Sequence, residues 1–293
     1  MSNTVRISAP CKINLHLRVL ERRQDGYHDI ESVFQLISLS DELSVSIDGP
    51  DGACFVHSPQ MELPPVNTLT CAVDQFRLLT GIRTGIRIDI DKNVPSGAGL
   101  GGGSSDAASV LRALDRMFGT GLSLSELSSM AEKIGSDVPF FLAGGAAIVE
   151  GRGDRITPIA SRTDLFGVLI WPDVHCSTAM AYGLVDRFHE EGKDHSIVWP
   201  TVDSLAEMYA SPVAGWKFCN SFTSPVETVF PVIRESRIAL RDCGAVYVQM
   251  SGSGSSVFGL FPDENQAEIA RNTLLPHCKM CVKFLLLASC PMQ

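Results

Sequence analysis

The segment Pro95-Ser96-Gly97-Ala98-Gly99-Leu100-Gly101-Gly102-Gly103-Ser104-Ser105 holds five glycines in eleven residues and ends in two serines. Lacking Cβ atoms, its backbone N–H groups can approach a ligand closely. A helical pattern follows it, and a helix N-terminus adds unpaired N–H donors and a partial positive charge. Those are the properties of a phosphate cradle. It is not a Walker A loop, because no Gly-Lys-Ser/Thr follows. Gly97-x-Gly99-x-x-Gly102 has the letters of a dinucleotide fingerprint but lacks the βαβ unit and the later acidic residue. Taken singly, the other polar candidates read as ordinary: Lys12 as a solvated strand lysine, Asp137 as a turn aspartate, Tyr27-His28 as a turn pair. Cys278 and Cys281 form a lone C-x-x-C with no second pair, so they read as core thiols and not as a zinc or redox site.

The elements that must position these residues follow from periodicity. Cys11, Ile13, Leu15, Leu17 and Val19 alternate with Lys12, Asn14, His16 and Arg18, which predicts a half-buried strand with lysine and asparagine on its polar face. Asp25-Gly26 makes a turn; Val33–Leu39 and Leu43–Ile47 read as further strands, and 48–66 as loop. Asn67 caps a helix stopped by Gly81, and Ile86, Ile88 and Ile90 mark a strand that runs into the glycine loop. Ala107, Leu111, Leu114 and Phe118 share a helix face beyond it, and Ser123-x-x-Glu126 is a capping box for a helix ending at Gly135. Arg155–Asp164 reads as a polar connection, which divides the chain into 1–160 and 161–293. The second part reads as a strand at Phe166–Trp171, helices near 178–188 and 203–210, and a long helix from Pro225 to Arg241. Strands at 245–250 and 255–261, a helix at 264–275 and a strand at 279–288 close the chain. Without a βαβαβ rhythm, both parts are α+β.

Composition sets the outer limits. The 293 residues are 45% hydrophobic and 19% charged, as in a globular protein with a real core. A net charge of −9 argues against nucleic-acid binding, which needs a basic face. No run approaches the roughly 20 apolar residues of a bilayer span, and residues 1–10 do not read as a secretory signal. Nine scattered cysteines read as reduced thiols, which makes the expected compartment the cytoplasm.

Three segments together carry a resemblance. Pro95-x-x-x-Gly99-Leu100-Gly101-Gly102-Gly103-Ser104-Ser105 resembles the central motif of the GHMP kinases, named for galactose, homoserine, mevalonate and phosphomevalonate. Ala9-Pro10-Cys11-Lys12-Ile13-Asn14-Leu15 is similar to their N-terminal motif, and Ser251-Gly252-Ser253-Gly254-Ser255-Ser256-Val257-Phe258 to their C-terminal one. Within that superfamily the chain resembles the branch that acts on a cytidyl-diphosphate-linked methylerythritol. The similar stretches are Arg22-Arg23-Gln24-Asp25-Gly26-Tyr27-His28, Gly135-Ser136-Asp137-Val138-Pro139-Phe140-Phe141, Ser177-Thr178-x-x-x-Tyr182 and Asn220-x-Phe222 followed by Glu227. Glu150-Gly151-Arg152-Gly153-Asp154 also matches, with Asp154 where the branch usually has Glu.

The resemblance implies a two-domain GHMP kinase fold: an N-terminal domain like ribosomal protein S5 domain 2, a ferredoxin-like C-terminal domain, and a site between them. It implies transfer of the γ-phosphate of ATP, with Mg²⁺, to the 2-hydroxyl of the cytidyl-linked substrate in the non-mevalonate isoprenoid route. ATP would lie on Pro95, Gly97, Gly99, Leu100, Gly101, Gly102, Gly103, Ser104 and Ser105, with Asn67 on the adenine side. Lys12 matches the catalytic lysine of the family. Asp137, flanked by apolar residues, is the candidate base, helped by Lys12 lowering the alcohol pKa. Asn14 would orient the substrate, Tyr27 and Tyr182 would stack on the cytosine, and His28 would read its edge. The partner is a small molecule, with no nucleic acid and no membrane, acting on a monomer or homodimer. Two alternatives stay open: another GHMP kinase, of homoserine or mevalonate type, and a non-catalytic GHMP-like metabolite-binding protein.

Overall fold

In the computed structural model, residues 3–193 and 197–290 are described. Two sheets organise them. The first has six strands around β2 (His28–Ile47), with β1 (Thr4–Arg22) antiparallel along one edge. The other edge of β2 pairs antiparallel with β5 (Ala146–Gly151) and β4 (Ile86–Asp91). Beyond them lie β3 (Cys54–His57), parallel to β4, and β6 (Arg155–Ile159), antiparallel to β5. The second sheet is antiparallel in the order β10 (Met280–Leu285), β7 (Phe166–Trp171), β9 (Val257–Phe261), β8 (Tyr247–Met250).

Backbone bonds stitch the sheets together. Leu17 N–H donates to Cys219 O (2.9 Å), and Ser221 N–H to Leu17 O (2.8 Å). Leu287 N–H donates to Leu36 O (2.9 Å). One apolar core includes residues of both halves, from Phe34 and Leu114 to Ile170 and Val257.

The predicted helix after Asn67 is α1 (Thr68–Thr80). Asn67 Oδ1 accepts from Leu69 N–H (2.9 Å) and Thr70 N–H (3.1 Å), and Gly81 ends the helix at φ 74°. Removing such a cap costs about 1 kcal/mol. Asn67→Ala should therefore lose about that much stability in a denaturant titration read at unchanged slope. The helix beyond the glycine loop is α2 (Gly102–Phe118), and the capping box at Ser123 opens α3 (Leu124–Glu132).

Five readings change. Val33–Leu39 and Leu43–Ile47 are parts of the single strand β2, because Asp41 is satisfied in place: its carboxylate accepts the N–H groups of Asn93 (2.6 Å) and Val94 (2.8 Å). Residues 48–66 contain β3, a four-residue edge strand too short to show a period. The connection from Arg155 begins with β6. In the second half, α5 (Thr178–Glu190) and α6 (Val202–Ala210) lie where expected, but the helix expected over Pro225–Arg241 is two, α7 (Thr223–Val229) and α8 (Pro231–Asp242). Proline disfavours helical backbone in the residue before it, and Phe230 sits at φ −123°, ψ 81°. Finally, the polar face of β1 is not solvated: Lys12, Asn14 and His16 are all buried.

Candidate active site

The glycine loop leads into α2, which packs on β1, on α1 and on α4 (Val138–Ala143). Gly101 occupies the N-cap position at φ 70° and no side chain caps the helix. The N-terminus of α2 thus has the uncapped N–H groups that a triphosphate would satisfy. The fit extends to Mg²⁺, which takes oxygen ligands and keeps most of them from phosphates and water. Ser104 lines the loop and offers a hydroxyl. No group of three or more His, Cys, Asp or Glu side chains with metal-site geometry occurs among the described residues.

Around the loop is a cleft of about 590 Å³. Lys12, Asn14, Tyr27, Asn67, Pro95 through Ser104, Asp137 and Tyr182 all line it. Two expected residues do not. Ser105 turns inward, its Oγ donating to Pro10 O (2.7 Å), so its hydroxyl belongs to the packing of α2 against β1 and not to a phosphate. His28 lies outside the lining, stacked on Tyr182 with ring centroids 5.0 Å apart. Leu100 contributes backbone: its side chain is buried, and its O accepts Lys12 N–H (2.9 Å).

That last bond depends on β1. Its register with β2 shifts between Pro10 and Lys12, since proline cannot donate to a ladder, and the freed Lys12 N–H turns to the loop. Lys12 is 4% exposed. Its Nζ donates to Asn14 Oδ1 (2.5 Å) and Gly99 O (3.3 Å), stands 3.8 Å from Asp137 Oδ2, and lies 4.6 Å from the Phe34 ring centroid. Burial holds the ammonium pKa below its ordinary value, while Asp137 acts in the opposite sense. Asn14 is itself fixed, donating from Nδ2 to Ser32 Oγ (3.0 Å).

Asp137 precedes α4 at its N-cap position, yet its side chain makes no capping bond. The carboxylate, one-third exposed, is left to the cleft and to Lys12. The six-residue helix α4 has no signal in the sequence because it is buried almost all round and shows no polar face. Tyr182, on α5, is pushed up to about 12 by burial, with the Asp137 charge adding. Arg152, to which sequence reasoning gives no role, lies 3.8 Å above the Tyr27 ring and covers one face of it.

The C-terminal motif supports the loop from outside. Ser251 Oγ donates to Gly99 O (2.8 Å) and accepts from Asn14 N–H (3.2 Å), while Asn220 Nδ2 holds the carbonyls of Met250 (2.8 Å) and Gly252 (2.9 Å). A Cβ at Gly99 would fall 2.0 Å from Ser251 O, so the contact admits only glycine. On the other flank, Lys92 Nζ bridges the buried carboxylates of Asp41 and Asp106 (2.8 Å to the latter). Burial pushes Asp106 up to about 7, opposed by Lys92 and assisted by Asp41. Nothing in the spacing of residues 41, 92 and 106 signals this cluster.

Of the C-x-x-C pair expected to be core thiols, Cys281 is buried and Cys278 is partly exposed. All nine cysteines are free, and burial pushes Cys281 up to about 12. Among the described residues no helix is long and apolar enough to cross a membrane.

Residues 67–145 match the GHMP kinases N terminal domain, and residues 206–277 match GHMP kinases C terminal. A 4-diphosphocytidyl-2-C-methyl-D-erythritol kinase of Treponema pallidum (strain Nichols) is 44% identical over 94% of this chain and 97% of its own. One of Geobacter sp. (strain M21) is 38% identical over 91% and 92%. A crystal structure of 4-(cytidine 5'-diphospho)-2C-methyl-D-erythritol kinase superposes with a TM-score of 0.81 at 33% identity, over 96% of this chain and 99% of that one. Homoserine kinase from Cytophaga hutchinsonii shares the fold, with a TM-score of 0.74 at 18% identity, over 99% of this chain and 96% of that one.

Proposed function

Since the chain belongs to the 4-diphosphocytidyl-2-C-methyl-D-erythritol kinases of the GHMP family and is a small-molecule phosphotransferase, we propose that it transfers the γ-phosphoryl group of ATP to the 2-hydroxyl of 4-diphosphocytidyl-2-C-methyl-D-erythritol. The observation that carries this reading is the Lys12–Asp137 pair, 3.8 Å apart, with Lys12 also 3.3 Å from Gly99 O of the glycine loop. A proton acceptor and a cation thus stand beside an uncapped helix N-terminus.

Phosphoryl transfer asks a protein for positioning and charge stabilisation more than for covalent chemistry. In the proposed reaction the substrate 2-hydroxyl oxygen bonds to phosphorus, the bond to the β-phosphate oxygen breaks, and Asp137 takes the hydroxyl proton. Lys12 holds negative charge developing on the attacking oxygen, and Asn14 fixes where Lys12 points. The first-turn N–H groups of α2, with Ser104, hold the phosphates. Bound Mg²⁺ would neutralise part of their charge. Tyr27 and Tyr182 offer ring faces to the cytosine, and His28 its edge. The name kinase on the relatives removes the non-catalytic alternative. Homoserine kinase resembles the chain only at the level of fold.

The test is to incubate the protein with ATP, Mg²⁺ and the cytidyl substrate, following ADP release and the phosphorus NMR spectrum. A new phosphomonoester at the 2-position is expected; absence of ADP overturns the substrate assignment. The pH profile adds a second check. Lys12 acts as ammonium, the form present below its pKa, and burial lowers that pKa from the ordinary 10.5. kcat/KM, which reports the free enzyme, should therefore fall on the alkaline side, with its midpoint below 10.5. A plateau reaching past that value would remove the Lys12 charge from the rate.

A further inference from the structure

One turn beyond Tyr182 on α5 lies Asp186, whose Oδ1 is 2.8 Å from His28 Nε2. The pair joins residues 158 positions apart. His28 is buried, and its ring stacks on Tyr182 at an interplanar angle of 22°. Tyr182 is fixed in turn by Phe222 in a T-shaped pair, ring centroids 4.9 Å apart. The imidazole is therefore held in two ways: Tyr182 sets the plane of the ring, and Asp186 sets its rotation within that plane.

An ionised carboxylate can only accept, so in this pair Nε2 carries the hydrogen. In the neutral ring Nδ1 is then left with a lone pair, as an acceptor. Cytosine and uracil differ at position 4, where cytosine has an amine that donates and uracil a carbonyl that accepts. A fixed acceptor pairs with the amine and meets the carbonyl lone pair against lone pair. A buried polar mismatch of that kind discriminates far more strongly than a change of size.

We infer that Asp186 is a positioning residue for pyrimidine choice: it locks His28 in the Nε2–H tautomer, so that the site takes cytidine diphosphate-linked substrates and rejects uridine diphosphate-linked ones. The inference rests on the proposed cytidyl substrate and on His28 meeting its base. Asparagine at 186 breaks the lock without changing size. Its amide NH₂ can donate to Nε2, which moves the ring hydrogen to Nδ1 and suits the uracil carbonyl.

Two measurements test this. The first is the nitrogen-15 NMR pattern of the His28 ring in the ligand-free protein, assigned by its loss in His28→Gln. An Nε2–H tautomer is expected; an Nδ1–H tautomer or a doubly protonated ring overturns the inference. The second is kcat and KM for the cytidyl and uridyl forms of the diphospho-methylerythritol in wild type and Asp186→Asn. The preference for cytidyl in kcat/KM should fall by about tenfold or more, through KM and not kcat. An unchanged preference overturns the role of Asp186. If wild type phosphorylates neither form, the substrate assignment fails, while the ring spectrum still decides the lock.

Discussion

Asp137→Asn is expected to lower kcat by about 10²- to 10⁴-fold, the range that a positioned general base contributes. Asparagine has the size of aspartate and fits the same αR backbone, at φ −81° and ψ −14°. It cannot hold the hydroxyl proton. The fold should survive, because the Asp137 side chain does not cap α4 and is one-third exposed, although the buried Lys12 ammonium loses its counter-charge. Steady-state ADP release, run beside a denaturant titration, separates the two effects. The expected pattern is a large fall in kcat with KM for both substrates little changed and a stability loss of about 1–3 kcal/mol, since Lys12 keeps Asn14 and Gly99 O as acceptors. A fall smaller than tenfold would take Asp137 out of proton transfer.

Lys12→Met should cost about 10²- to 10³-fold in kcat, as removal of a preorganised charge at the reacting oxygen does. Its stability effect is a balance of opposing terms. Methionine fills similar space and removes a buried ammonium whose desolvation is unfavourable. Against that, Asn14 Oδ1 loses its donor, and an unsatisfied buried acceptor costs about 1–3 kcal/mol, while Gly99 O keeps the Ser251 hydroxyl. The net should stay within about 2 kcal/mol, so loss of activity will not be loss of fold. The double variant Lys12→Met/Asp137→Asn provides the sharper measurement. Two groups acting on one proton transfer are not additive, so it should be scarcely slower than the worse single variant. Full additivity would mean that the two residues act on separate steps.

Much of the route to these residues could be read along the chain. The caps of α1 at Asn67 and Gly81, the bounds of β4 and β7, and the strand–loop–helix setting of the glycines all depend on backbone preferences within a few residues. The break before Pro231 was missed, although its cause is local, since proline restricts the residue before it. The loop could be proposed as a phosphate cradle because it is one continuous segment.

Tertiary structure decided what surrounds each side chain. Alternation in β1 set Lys12, Asn14 and His16 on one face, but periodicity reports direction and not cover; Gly99 and Phe34 close over Lys12, Ser32 and Ser251 over Asn14, and Trp199 and Phe218 over His16. Ser104 and Ser105 are adjacent in the chain, yet one lines the cleft and the other bonds to Pro10, because successive helical residues point about 100° apart. The bond from Ser251 to Gly99 spans 152 positions, that from His28 to Asp186 spans 158, and the Lys92–Asp106 pair comes together only where β4 meets α2. By itself the sequence determined residue chemistry and local backbone, because both are encoded within a turn or a strand. Which carboxylate meets which cation was left to the packing of the sheets and helices, since contacts between distant segments leave no period in the chain.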